Sequence, residues 1–302
     1  TAKGWHPDYE KVPLCPAVLV LSFSMTHYIW VDRLSPYLFH FSIYGHELGV
    51  HWYGLAYVLG FVLAYTYFYG AVQKKRISGL DEDSLYELTI SVAFGVLLGG
   101  RIGFVVQHLH ELITDPLWAL RIWEGGMAFF GGLAGVLIAI FWIGRQRHIG
   151  FLALNDVAVF PASLGLAIGR IANFINGELV GKPTRANFGV IFPNVDLLPR
   201  YPSQLFEGAA TFLLFLSMIV LRRVPWISAR PGRLGSFFLI IYGLLRFATD
   251  FYRDDATYWG PISDGQWFSL LIAVIGCVIL YFVFKPLTAT TPDKLAPSEP
   301  LR

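Results

Sequence analysis

Residues 153–175 read ALNDVAVFPASLGLAIGRIANFI, and NGELVG follows at 176–181. The first stretch is 23 residues long and mostly apolar. At 1.5 Å per residue it spans the roughly 30 Å hydrocarbon core of a bilayer. Yet it carries Arg170 five residues before its C-terminal end. A charged side chain within a span costs at least a few kcal/mol even on the most lenient insertion scale. The stretch therefore reads as a transmembrane helix with a polar task at one end.

Six further apolar runs of similar length flank it, at about 50–70, 87–107, 126–144, 204–221, 233–252 and 264–284. The whole chain is 55% hydrophobic and only 15% charged, with a mean hydropathy of +0.54. Soluble domains run nearer 45–50% apolar and 25% charged. The expectation is an all-α polytopic membrane protein with about seven transmembrane helices. An apolar run from Leu14 to Trp30, interrupted by Pro16, reads as an extra span, an interfacial helix or an uncleaved signal-like segment. The chain divides into an N-terminal extension at 1–35, a seven-span core at 36–285 and a proline-rich tail at 286–302, expected to be disordered on the cytoplasmic side. A net charge of +2 gives no electrostatic reason to bind nucleic acid. Cys15 and Cys277 are far apart in apolar runs, and no His, Cys and carboxylate spacing forms a metal site.

Loop charges set the expected orientation. Counting Arg233 at the mouth of span six and going no further than Lys285 after span seven, ten Lys and Arg residues lie on the side reached after spans one, three, five and seven, against five in the other loops. The positive-inside rule places the first set in the cytoplasm and the 176–203 loop outside.

With that orientation, Arg101, Arg170 and Arg246 lie six, five and six residues before the outer ends of spans two, four and six. Each is then roughly 8–9 Å below the outer boundary. Guanidinium forks bind phosphate bidentately, so a phospholipid headgroup is the expected shared partner. Pairing with Glu178, Glu207 or Asp250, or snorkelling to the interface, is the plainer alternative. Arg170, Asn173 and Gly177 recur at i, i+3 and i+7 and share a helix face. Gly177 can end the helix and let Glu178 turn back towards that face. Tyr242 lies four residues before Arg246, on the same face of its span.

These segments together resemble the prolipoprotein diacylglyceryl transferase family. The resemblance rests on His51-Trp52-Tyr53-Gly54, Gly99-Gly100-Arg101-Ile102-Gly103, the glycine-rich 125–135 stretch, the Gly-Arg-x-x-Asn-Phe-x-Asn-Gly-Glu-x-x-Gly signature at 169–181, Arg200-Tyr201-Pro202-Ser203-Gln204, and Tyr242 with Arg246. It covers roughly 36–285. It implies a multi-pass enzyme of the bacterial inner membrane, with its site towards the periplasm and no cofactor. The implied reaction moves the diacylglyceryl group of phosphatidylglycerol onto the lipobox cysteine of a preprolipoprotein signal peptide, with glycerol 1-phosphate leaving. The residues it carries over are Tyr53, Arg170, Asn173, Glu178, Gly181, Tyr242 and Arg246, with Arg101 and Glu207 in support. Besides phosphatidylglycerol and the preprolipoprotein, the expected partners are the bilayer lipids.

Two positions depart from the family pattern. Phe130 stands where the glycine-rich motif usually has a histidine, and Tyr201 where histidine often precedes Pro-Ser-Gln. A thiol of pKa about 8.5 is only a few per cent thiolate at neutral pH, so a base assists it. His51, Glu178 and Tyr201 are the candidates left, with activation by electrostatics alone as the alternative. The departures keep open a divergent membrane lipid transferase with a changed substrate, and a phospholipid-binding protein without chemistry.

Overall fold

The computed structural model describes residues 30–32, 34–43, 46–121, 125–254 and 257–284. The proposed extra span at 14–30, apart from its last residue, and the tail after 285 lie outside the described residues. The elements, in order, begin with strands β1 (Trp30–Val31), β2 (Tyr37–Ile43) and β3 (His46–His51). Helices α1 (Trp52–Gln73), α2 (Glu82–Gln107), α3 (Leu109–Thr114), α4 (Phe129–Gln146) and α5 (Phe151–Ile175) follow, with a short 3-10 turn at Pro116–Leu120 before α4. After strands β4 (Val190–Ile191) and β5 (Pro199–Arg200) come α6 (Ser203–Leu221), α7 (Pro225–Ser228) and α8 (Arg233–Asp250). Strands β6 (Tyr258–Trp259) and β7 (Ile262–Ser263) and helix α9 (Asp264–Phe284) complete the described chain.

Seven helices coincide with the seven expected runs. Six of them are long and apolar enough to cross a membrane. The seventh, α8, is 18 residues long and carries Arg233, Arg246 and Asp250. Its charges are matched inside the protein, Arg233 by the Trp226 carbonyl and Arg246 by Asp250 and Glu207. The chain is an all-α polytopic membrane protein with short strands confined to the connections.

Local chemistry fixes the helix ends. Asp81 and Ser84 form a reciprocal capping box at the start of α2, each side chain accepting from the other's backbone N–H at 2.8 Å. Asp156 of α5 caps α8 from a neighbouring helix, accepting the Gly232 and Gly235 N–H groups at 2.7 Å each. That tie anchors the start of α8 against α5. Helices α2 and α4 meet along a glycine seam. A Cβ at Gly95 would lie 2.5 Å from the Gly135 carbonyl oxygen, and one at Gly103 would lie 2.9 Å from the Gly131 Cα. Absent side chains let the two backbones touch, the usual way membrane helices gain packing without a hydrophobic drive.

Two apolar clusters occupy the bundle end opposite the site. Phe68, Ala71, Leu85, Leu88, Ile140, Ile143 and Leu154 join α1, α2, α4 and α5. Phe160, Leu214, Met218, Ile227 and Leu234 join α5, α6, α7 and α8. At the site end, β1 runs parallel to β4, which pairs antiparallel with β5. The antiparallel pair β2–β3 precedes α1 and sets Phe39 opposite Val50.

Candidate functional site

The signature stretch ends α5 in a Schellman motif. Gly177, at φ 64°, donates to the Phe174 carbonyl and Glu178 donates to the Asn173 carbonyl at 3.0 Å each. The positive φ is what glycine supplies here. The reversal carries Glu178 back over the last turn of α5, as the sequence leads one to expect. Its carboxylate then accepts from the Tyr53 hydroxyl at 3.2 Å. Tyr53 in turn accepts from the Asn173 amide, and Asn173 accepts from Arg170 at 3.2 Å. A continuous hydrogen-bond chain thus runs from a guanidinium on α5 to the carboxylate of an exposed glutamate, through the first turn of α1.

Arg170 also pairs with Glu207 at 2.8 Å. Glu207 is buried in the second turn of α6, with 4% of its surface exposed. Arg246 of α8 and Arg253 approach the other oxygen of that carboxylate at 3.4 Å each. Arg246 is paired with Asp250 at 2.8 Å as well. Three guanidiniums therefore converge on one buried carboxylate, with a second carboxylate beside them. A small cavity opens next to this group, lined by Arg170, Glu207, Tyr242, Arg246 and Thr249. Tyr242 brings to it a hydroxyl that makes no hydrogen bond among the described residues.

The structure brings together Tyr53, Arg170, Asn173, Glu178, Glu207, Tyr242 and Arg246. It sets Arg101 apart. The Arg101 guanidinium donates to the carbonyls of Trp118, Ala119, Gly125 and Gly126 at 2.5–3.2 Å and lies 5.0 Å from the Trp118 ring. Among the described residues it makes no hydrogen bond or ion pair to Arg170, Arg246 or Glu207. The expected convergence of Arg101, Arg170 and Arg246 is replaced by one of Arg170, Arg246 and Arg253. The reason is azimuth: depth along a helix does not fix which way a side chain points. Arg253 was missed because it lies just past the expected limit of span six, and it reaches Glu207 through the turn after α8, where its N–H donates to the Asp250 carbonyl at 3.1 Å.

Gly181 does not line the cavity. It sits where the chain after α5 passes between two others, donating to the Tyr201 carbonyl at 3.0 Å. A Cβ there would lie 2.7 Å from the Tyr252 carbonyl oxygen. Its neighbour Lys182 donates to that same carbonyl at 2.8 Å. Arg200 locks this crossing by pairing with Asp196 at 2.5 Å and Asp254 at 2.6 Å. The Arg200 guanidinium holds the Asp196 carboxyl below the usual carboxylate range. Tyr201 stacks its ring edge-on against Tyr252 at 5.2 Å. Phe130, at the head of α4, is exposed and lies 5.8 Å from the Phe268 ring. His51 rests against Tyr37 at 4.3 Å.

Comparison with known proteins bears on this arrangement. The prolipoprotein diacylglyceryl transferase family matches residues 39–282. The chain is 40% identical over 248 residues to the phosphatidylglycerol–prolipoprotein diacylglyceryl transferase of Geobacter sulfurreducens, covering 80% of this chain and 93% of the relative. It is 35% identical over 276 residues to the enzyme of that name from Teredinibacter turnerae, covering 86% and 93%. The Zymomonas mobilis enzyme is 36% identical over 239 residues, covering 77% and 83%. With its signature folded into one polar cluster and the match running through all seven long helices, the chain belongs to the prolipoprotein diacylglyceryl transferase family.

Proposed function

We propose that this membrane transferase takes the diacylglyceryl group of phosphatidylglycerol and joins it to the lipobox cysteine of a preprolipoprotein. The observation that carries the proposal is the group of guanidiniums at Glu207. Arg170 and Arg246 bring guanidiniums from two helices to the wall of the cavity beside that carboxylate. Guanidinium forks on two sides of one cavity suit the oxygens of a phosphodiester. The seven-span core at 36–285 would carry the whole reaction, in the bacterial inner membrane, with the site facing the periplasm.

In the reaction the cysteine sulfur attacks the glycerol carbon that bears the phosphate ester. A C–S bond forms, the C–O bond breaks, and its electron pair leaves with glycerol 1-phosphate. Charge grows on the departing phosphate, so guanidiniums fixed beside it stabilise the transition state more than the ground state. Arg170 and Arg246 hold the phosphate, and Tyr242 donates to it or to the glycerol. Glu178, exposed and oriented by Tyr53 and Asn173, accepts the thiol proton. Arg101 serves at one remove, holding the loop that leads into α4 by its backbone carbonyls.

Purified protein given phosphatidylglycerol and a lipobox peptide should release glycerol phosphate and add a diacylglyceryl mass to the peptide. Release at background level overturns the proposal. Phe130 favours one second reading, a transferase with a changed acceptor. On that reading Phe130→His leaves lipobox lipidation no better, and a clear gain in the same assay dismisses it.

A further inference from the structure

The turn that bears Glu178 is held from outside its own sequence. Leu179 has φ 54°, in the left-handed region that a branched side chain occupies only under strain. Two side chains from the head of α6 fasten the strained peptide. Ser203 donates its hydroxyl to the Leu179 carbonyl at 2.8 Å, and Gln204 donates its amide to the Glu178 carbonyl at 2.6 Å. Ser203 is 0% and Gln204 1% exposed. Neither lines the cavity. On the far side, Asn194 donates to the Gly177 carbonyl at 3.1 Å. The carbonyls on either side of residue 179 are thus pinned while the Glu178 carboxylate projects to Tyr53.

We infer that Ser203 and Gln204 are positioning residues that latch the Glu178–Leu179 turn so that the Glu178 carboxylate stays on Tyr53 and Asn173. The inference rests on the reading of Glu178 as the proton acceptor for the cysteine. It assigns Ser203 and Gln204 to the proton-transfer half of the site, separate from the guanidiniums that hold phosphate. Gln204 fits a latch better than a lipid contact, because its side chain is buried, lies off the cavity and spends its amide N–H on the Glu178 carbonyl.

Turnover and hydrogen exchange on full-length protein in detergent test this. Ser203→Ala and Gln204→Ala should lower kcat by about 10²-fold, the loss that misplacing a reacting group by about 1 Å produces. KM for phosphatidylglycerol should stay within about twofold, since the guanidiniums are untouched. Ser203→Thr keeps the hydroxyl and should keep kcat. Leu179→Gly removes the strain at positive φ and should restore part of kcat in the Ser203→Ala protein. Exchange of the 176–182 amides needs no turnover: it should rise in Ser203→Ala while α5 and α6 stay protected, and fall again with Leu179→Gly. Alanine variants with kcat near wild type, or 176–182 exchange that does not respond, overturn the latch. A wild type without turnover whose exchange responds as stated upholds the latch and overturns the proposed reaction.

Discussion

Three guanidiniums share the Glu207 carboxylate, and that sharing decides what each substitution does. Arg170→Ala leaves the buried carboxylate with Arg246 and Arg253, so the fold keeps a paired charge. Glu207→Ala leaves three guanidiniums around a vacancy, and removing one partner of a buried pair costs about 3–5 kcal/mol. Arg170→Ala should therefore insert and extract like wild type while glycerol phosphate release falls about 10²–10³-fold, the usual loss for one transition-state donor. Glu207→Ala should instead lower the yield of folded, detergent-extracted protein, and so should Arg246→Ala, which strips the buried Asp250 of its ion pair. Loss of folded protein in Arg170→Ala equal to that in Glu207→Ala would make Arg170 structural. The sequence made half of this group readable. Arg170, Asn173 and Glu178 lie within nine residues, so helix periodicity and one glycine stop suffice to assemble them. Spacing named Glu207 only as one of three available acids, and the family resemblance set it in support. Arg253 was unreadable from depth because it follows the helix end, and depth alone could not show that the Arg101 guanidinium spends its donors on the backbone carbonyls of Trp118, Ala119, Gly125 and Gly126.

Helix α2 shows how an element can be legible in extent and hidden in detail. Its apolar run was expected to begin near 87, whereas the helix begins at Glu82 because the Asp81 and Ser84 capping box extends it past the apolar region. All seven runs became helices, since about 20 apolar residues in lipid must satisfy their backbone groups internally. The two-residue strands escaped notice because pairing so short leaves no alternation to read. The β2–β3 pair escaped because its aromatic residues resemble the approach to span one. The partner of α2 was equally hidden, although the glycines at 95, 99 and 103 marked a face for close approach. Gly103 meets Gly131 of α4 across that seam. Gly103→Leu forces backbones apart rather than displacing a flexible side chain, an overpacking that typically costs 1–3 kcal/mol. Its melting temperature in detergent should fall by several degrees, while Gly60→Leu, with nothing near its Cβ position, should melt like wild type. Equal melting of the two would show that the seam contributes nothing.

The two ends of the molecule carry different charged groups, and its function depends on which end faces out. Arg170 and Arg246 lie towards the C-terminal ends of α5 and α8, and Tyr53 and Glu207 towards the N-terminal ends of α1 and α6, so all four meet at one end of the bundle. Lys74, Lys75, Arg76, Arg222 and Arg223 gather at the other. A cysteine acceptor that emerges on a secreted chain reaches the first end only if that end is periplasmic. The loop charges predict this, because Lys and Arg near span ends resist translocation. In a background with Cys15 and Cys277 changed to serine, Arg185→Cys should react with an impermeant maleimide in intact spheroplasts. Lys75→Cys and Arg223→Cys should react only after lysis. All three positions are exposed, so burial does not confuse the result. The opposite pattern would turn the guanidiniums towards the cytoplasm, where no translocated cysteine could meet them, and the proposed acceptor would have to be abandoned even if phosphatidylglycerol still bound.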